Sequence, residues 1–469
     1  MDTSLKNIVN RITFCYIIFL SLYSISTRFV PTAILCEGPA ADILYKTVII
    51  GGGVLSLLYL WLLKNVIKPG AHLFLLAGFT VILAISTLLN YKYELAGNIL
   101  GMATFVSQLI IFYFLPLLMP KAQLVKCIKY TALFTSFFWT IGCISSLYQY
   151  IKNIHYTTIS PENLRIRQGI VDGRLFGLFS DPNFAAFTSL IIIILLIYTI
   201  THTKIKALKR YGMFSIFINV CYLIMSNSRT IYITALGVLF VSVILITYNT
   251  LKTDRAFNTK TFLLVSGKRL FFAVFGVIAI YSIIFFPMRQ IGQLMEPERS
   301  VNDMVRDDVT TDNITNNRST IWKNYFSLYK EKPVFGFSIR SALPYVTDNY
   351  PDSYLAKTQY VTHNSYISLL IETGFMGFGV MGAFFLLTFL QSLKRIRQKE
   401  KISSSYLLFV ALIVAVLIFL MCFHDVFFTV NIETMLLYIG VGFLCKANSA
   451  MPVRTSPEKS SPRSGLSTD

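Results

Sequence analysis

Apolar runs long enough to cross a bilayer recur along the whole chain, and nothing else in the sequence restricts its fold as strongly. A hydrocarbon core of ~30 Å needs roughly 20 consecutive apolar residues at helical rise. About twelve windows meet that length: 11–28, 46–63, 70–89, 97–119, 130–150, 183–201, 211–228, 230–249, 270–288, 364–391, 404–423 and 426–445. Most carry no charge. Hydrocarbon offers no partner to a backbone N–H or C=O, and the windows show no alternation of period two, so helices are expected rather than a barrel. The predicted class is an all-α polytopic integral membrane protein with about twelve transmembrane helices. The first window lacks a small-x-small cleavage site and many further spans follow it, so it reads as a retained helix rather than a signal peptide.

Composition agrees. Of 469 residues, 54% are hydrophobic and 14% charged, with a mean hydropathy of +0.61, which excludes an ordinary soluble globule. Thirty-nine Phe and 26 Tyr also exclude a disordered or collagen-like chain. The formal net charge of +19 invites a nucleic-acid partner, but its distribution gives a simpler reason. With the N-terminus placed in the cytoplasm, connections on that side carry 25 Lys and Arg against five Asp and Glu, whereas the outside connections carry 17 against 16. The excess is an orientation signal, clusters such as Lys394, Arg395, Arg397, Lys399 and Lys401 being cytoplasmic anchors. No nucleic-acid partner is implied. An even number of spans puts both termini in the cytoplasm.

The expected organisation is helices one to five in 1–150, helices six to nine with a preceding outer loop in 151–288, a large extracytoplasmic loop in 289–363 between helices nine and ten, helices ten to twelve in 364–445, and a disordered cytoplasmic tail in 446–469 rich in Ser, Pro and Lys. Within the large loop, apolar residues from Ser319 to Lys330 fall near helical spacing and predict an amphipathic helix lying near the outer membrane surface. Seven scattered cysteines (Cys15, Cys36, Cys127, Cys143, Cys221, Cys422 and Cys445) form no disulfide or metal framework. The histidines, His72, His155, His202, His363 and His424, lack metal-ligand spacing. No phosphate-binding glycine loop, dinucleotide fingerprint or tandem repeat is present. Asn313-Ile-Thr315 fits a glycan-acceptor pattern, which chance also supplies in a chain this long.

Four constellations stand at the outer ends of spans. The first, Arg174-Leu-Phe-Gly177-Leu-Phe-Ser-Asp181-Pro182-Asn183, leads into the sixth span. Capping preference accounts for Asp181, Pro182 and Asn183. It does not account for Arg174. The second, Ser226-Asn227-Ser228-Arg229-Thr230, is a very short connection between spans seven and eight. Its arginine either snorkels outward or presents fixed donors to a phosphate diester at the membrane boundary. The third is Asn317-Arg318-Ser-Thr-Ile321-Trp322, followed by Pro333-Val-Phe335-Gly336. By itself Arg318 there is an ordinary solvated surface residue. The fourth, Thr362-His363-Asn364-Ser365-Tyr366 and then Glu372-Thr-Gly374, opens span ten. Asn364 and Ser365 also suit an N-cap. Nine positions of continuous helix would set His363 and Glu372 on opposite faces, so they are not paired. Glu372 and Gly374 suit shaping of the helix start as well as chemistry. Glu433 in the last span is costly in lipid, should face the bundle, and ranks lower as a site residue.

In this order the constellations resemble the O-antigen ligase and O-antigen polymerase superfamily of bacterial envelope glycosyltransferases, from about Arg174 to Gly374. The first five spans match only in being hydrophobic. The resemblance implies a GT-C-like membrane fold and transfer of a glycan from undecaprenyl pyrophosphate to an acceptor glycan hydroxyl, without metal or other cofactor, on the outer face of the bacterial inner membrane. It implies His363 as general base and Arg229 and Arg318 as the pyrophosphate-holding pair, with Arg174 beside them and Asn364, Asp181, Asn183 and Glu372 in support. The lipid bilayer, and a flippase or chain-length regulator, are the implied partners. The D-P-N segment resembles polymerases of O-antigen, capsule or exopolysaccharide more than ligases that act on lipid A core. A lipid-linked glycan transporter is the alternative of another class. It would place ionisable groups near the bilayer midplane and show two related halves with broken helices. A structural scaffold would leave the basic residues dispensable.

Overall fold

The computed structural model describes residues 3–35, 39–63, 70–159, 165–252, 258–295, 317–398, 400–423 and 426–449. The Asn313-Ile-Thr315 pattern, Cys36, His424, residues 296–316 of the large loop and the tail from residue 450 lie outside the described residues. The chain opens with α1 (Thr3–Ser26), a short α2 (Val30–Leu35), α3 (Pro39–Leu63), α4 (Ala71–Leu89), α5 (Leu95–Gln108), α6 (Phe114–Leu118) and α7 (Lys121–Ile151). A π-helical turn over Leu109–Tyr113 joins α5 to α6, so window 97–119 is one interrupted span. Then follow α8 (Pro182–Thr201), α9 (Lys206–Met225), α10 (Arg229–Leu251) and α11 (Thr259–Met295). The large loop contributes α12 (Arg318–Tyr329), α13 (Ala342–Asn349) and α14 (Tyr354–Thr358) before α15 (Ser365–Arg397), α16 (Ser404–Phe419) and α17 (Ile432–Ser449).

Among the described residues, ten helical segments are long and apolar enough to cross a membrane. The two other windows, 211–228 and 426–445, fall on α9 and α17, whose Lys206, Lys209 and Arg210, and Glu433 and Lys446, dilute their apolar content. These two pack against α8 and α16 respectively. The architecture is that of an all-α polytopic membrane protein.

Its surface carries what a soluble protein would bury. On α11 only Ser266 and Gly292 are buried, while Leu264 is 71% exposed and Phe271, Phe275 and Ile283 also face outward, as lipid-facing residues should. At 1.5 Å rise its 37 residues reach ~55 Å, well beyond a ~30 Å hydrocarbon core. The helix therefore continues to Met295, seven residues past the expected span end at 288.

Lipid tails are as apolar as leucine, so helix association draws on close packing and buried hydrogen bonds. Both are present. Trp139 Nε1 donates to Ser189 Oγ at 2.9 Å, Thr140 and Ser215 hydroxyls meet at 2.7 Å, and Asn219 Nδ2 donates to Thr140 Oγ1 at 3.2 Å, linking α7, α8 and α9. Phe187 stacks on Phe419 with centroids 3.7 Å apart.

Residues 151–182 were expected only as an outer loop. They contain a three-stranded antiparallel sheet, β1 (Tyr156–Ile159), β2 (Arg165–Val171) and β3 (Arg174–Gly177), in the order β1-β2-β3. Asp172 and Gly173 at the β2–β3 turn have φ of 52° and 68°, the left-handed pair that an Asp-Gly hairpin turn requires. The sheet rests on α7 through β2 and β3, and Phe179 just after it meets Phe29 and Trp139. The expected helix at Ser319–Lys330 is α12, but its apolar face is covered by protein rather than lying on the membrane. Ile321, Tyr325 and Leu328 are buried in a small core with Phe337, Val346, Leu355 and Ile371.

Candidate functional site

The four constellations lie at one end of the bundle; contacts join the first to the second and the third to the fourth, and the electrostatics of His363 relate the two pairs. Asp181 caps α8: its carboxylate accepts from the Asn183 and Phe184 amides at 2.7 and 2.9 Å, with Pro182 in the first turn. Capping thus occupies Asp181, as expected. Asn183 has a further role. Its side-chain oxygen accepts from Arg174 Nη2 at 2.5 Å and from Ser228 Oγ at 2.8 Å, so it joins β3 to the connection before Arg229. Arg174 Nε also reaches the Ser226 carbonyl at 3.4 Å, and Asn227 Nδ2 donates to Gly173 O at 3.1 Å. Arg174 and Asn183 therefore hold the α9–α10 turn against the hairpin. Arg229 begins α10 with its side chain exposed.

His363 precedes α15, whose cap is Asn364: its side-chain oxygen accepts from the Tyr366 and Ile367 amides at 3.0 and 3.1 Å. The imidazole is held below the ordinary histidine range, mainly by burial and then by the positive charge of Arg318, while the Asp181 carboxylate pulls the other way. Residues 181, 318 and 363 thus share one electrostatic neighbourhood although they belong to three different segments.

Three residues immediately before site elements adopt left-handed backbone. Asn227, Asn317 and His363 have φ of 49°, 60° and 48°, before Ser228, Arg318 and Asn364. Asn and His are among the residues that tolerate this region. Each turns the chain into the helix that follows.

Helix α12 fixes the backbone next to the imidazole. Trp322 Nε1 donates to Thr362 O at 2.9 Å and Tyr325 Oη to Tyr360 O at 2.9 Å. Burial and the nearby Glu372 carboxylate push the Tyr325 phenol up. Neither aromatic was singled out from sequence as a positioning residue, although Trp322 lies inside a constellation.

The Pro333–Gly336 and Glu372–Gly374 motifs explain each other. Helix α15 breaks at Gly374, where φ is 64° and ψ −171°. The backbone freed by the break pairs with the loop: Phe337 N donates to Ile371 O, Ser338 N to Glu372 O and Phe375 N to Pro333 O, each at 2.8 Å. Non-helical backbone at such depth is tolerated only where protein satisfies it. The end of α4 completes the seal, with Ser86 Oγ donating to Glu372 O at 2.8 Å and Asn90 Nδ2 to Gly336 O at 3.0 Å. Glu372 is buried, and its residue lines a cleft of about 530 Å³ shared with Glu94, Tyr325, Arg340, Thr362 and Ser368.

Glu433 faces the bundle, and its partner is Arg28, which sequence reasoning missed. The guanidinium donates Nη1 and Nη2 to the two carboxylate oxygens at 2.7 and 2.6 Å, donates to Thr188 Oγ1 at 2.5 Å, and lies 4.7 Å from the Phe184 ring centroid. This forked pair ties the end of α1 to α8 and α17 about two turns below the Asp181 cap. Among the described residues no three His, Cys, Asp or Glu side chains stand together as a metal-ligand set.

No curated protein matches the chain. Residues 212–382 match the family model described as O-antigen ligase. That stretch carries the Ser226–Thr230, Asn317–Gly336 and Thr362–Gly374 constellations and leaves Arg174–Asn183 outside. Over this stretch, which is less than half of the chain, the protein is similar to the O-antigen ligase family, in agreement with the resemblance carried by its sequence motifs.

Proposed function

We propose that the protein is a glycosyltransferase of the bacterial inner membrane that polymerises undecaprenyl-pyrophosphate-linked oligosaccharide repeat units on the extracytoplasmic face. The observation that carries this reading is the shared neighbourhood of His363, Arg318 and Asp181, joined through the Asp181–Asn183 turn to Arg174 and the connection before Arg229.

The chemistry is a single displacement. His363, neutral at physiological pH because its pKa is lowered, accepts the proton of the acceptor hydroxyl. The hydroxyl oxygen attacks the anomeric carbon, the bond to the pyrophosphate oxygen breaks, and the configuration inverts. Negative charge grows on the leaving group. Arg229 and Arg318, with Arg174 behind them, stabilise it as fixed donors, without a metal ion. Asn364, Asp181, Asn183 and Glu372 are positioning residues: two caps, the Arg174–Ser228 bridge, and the carboxylate lining the cleft. The cleft beside Thr362 is large enough for part of a saccharide; its lining includes Glu94, Arg340 and Glu372 but none of His363, Arg174, Arg229 or Arg318, so it would hold glycan next to the reacting groups rather than the reacting bond itself.

The lean toward polymerisation rests on the D-P-N segment. The family model's description favours a second reading, ligation of the glycan to lipid A core. Glycan chain length in a deletion strain separates them. Single repeat units on the acceptor support the polymerase; long chains retained on the carrier lipid overturn it in favour of the ligase.

A further inference from the structure

The end of the bundle opposite His363 holds a cavity of about 640 Å³ between the N-terminal turns of α1 and of α7. Asn10, Arg11, Gln123 and Lys126 supply its polar lining, Phe14, Met119 and Tyr130 its apolar walls, and among the described residues no carboxylate lines it. Neighbouring cations at this end are occupied by the protein: Lys129 Nζ donates to His202 O at 3.1 Å, Lys121 Nζ to Ser403 Oγ at 3.1 Å and Lys252 Nζ to Ile396 O at 3.3 Å. Lys126 instead lies over the Tyr130 ring at the cavity. A second, independent feature is Asn10. It is 7% exposed, and both its amide nitrogen and its amide oxygen are buried without a hydrogen-bond partner, although buried polar groups are nearly always paired.

We propose that this cavity binds the head group of an anionic, hydroxylated phospholipid, of phosphatidylglycerol chemistry. The phosphodiester suits Arg11 and Lys126 and can accept from Asn10 Nδ2, while a head-group hydroxyl can donate to Asn10 Oδ1. The acyl chains run along Phe14 and Tyr130. Basic pockets between helix ends bind lipid head groups by this combination of point charge and apolar wall. The site is independent of the proposed glycan chemistry.

The test is native mass spectrometry of the full-length protein in mild detergent, titrated with phosphatidylglycerol, with phosphatidylcholine and with inorganic phosphate. One phosphatidylglycerol should bind saturably, about tenfold more tightly than phosphatidylcholine, and Arg11→Gln/Lys126→Gln should weaken it by about the same factor. Asn10→Leu, which keeps both charges and removes the unpaired amide, should weaken it less and leave lipid-free thermal stability equal or higher. Exposed Lys260→Gln/Lys268→Gln on α11 should bind as wild type. Equal phosphatidylglycerol uptake by wild type and by both cavity variants overturns the proposal, as does an equal loss in the α11 variant. Displacement of the lipid by millimolar phosphate would make the ligand a free anion and overturn the lipid assignment.

Discussion

At His363 three influences meet: burial and the Arg318 charge hold its pKa below the ordinary value, and the Asp181 carboxylate opposes them. If the neutral imidazole is the base, activity is lost as pH falls through that lowered pKa, so the acid limb should lie below the usual histidine range. Asp181→Asn keeps a capping side chain and removes the opposing charge. The limb of kcat/KM should then move to lower pH, with stability little changed; a limb that stays put, or moves up, contradicts the assignment. Replacing His363 by Ala should lower turnover by ~10²–10⁴-fold, the usual worth of a general base, at unchanged protein level in the membrane. The residues of the four constellations were legible because each is an odd residue type at a span end. Arg28 was not. Its partners Thr188 and Glu433 lie 160 and 405 positions away, and no local pattern encodes such a pairing. The buried Glu433 signalled that a cation must exist without saying which.

Among the elements, the break in α15 is the most exacting. A Cβ at Gly374 would come 2.1 Å from the Val334 carbonyl oxygen in a left-handed backbone, whereas one at Gly382 would meet nothing within 4 Å. Gly374→Ala should therefore destabilise by at least ~1–3 kcal/mol, and Gly382→Ala should be neutral or slightly stabilising. Thermal unfolding in detergent checks the contrast; equal midpoints for both variants would contradict the interlock of 333–338 with 371–376. The spanning helices were readable from apolar length alone. The sheet was not legible although Ile170-Val-Asp-Gly-Arg-Leu175 carries an Asp-Gly turn between apolar residues, because strands of four, seven and four residues are too short to show a clear alternation. The spacing located α12, but its face was assigned to the membrane. What that face covers, Phe337, Val346, Leu355 and Ile371, comes from later segments and is not encoded in helical period.

Over the whole molecule, the candidate site and the Lys-rich helix ends lie at opposite ends of the bundle, which agrees with the charge asymmetry of the sequence. With exposed cysteines removed, an impermeant thiol reagent applied to intact spheroplasts should label Lys357→Cys, near the site, and not Lys260→Cys. The opposite pattern contradicts the proposed sidedness. A transporter would use a broken helix to expose backbone to substrate. Here the chain's own 333–338 loop occupies the freed Ile371 and Glu372 carbonyls, which favours a fixed reaction site over alternating access. In the proposed reaction one imidazole and separated guanidinium groups together transfer a lipid-pyrophosphate-linked glycan. Purified protein supplied, in the presence of chelator, with a defined undecaprenyl-pyrophosphate-linked repeat unit, with the products sized by mass, tests this. Wild type should give a ladder of inverted linkages and His363→Ala, Arg318→Ala and Arg229→Ala almost none; ladders of equal yield from all four proteins would contradict it.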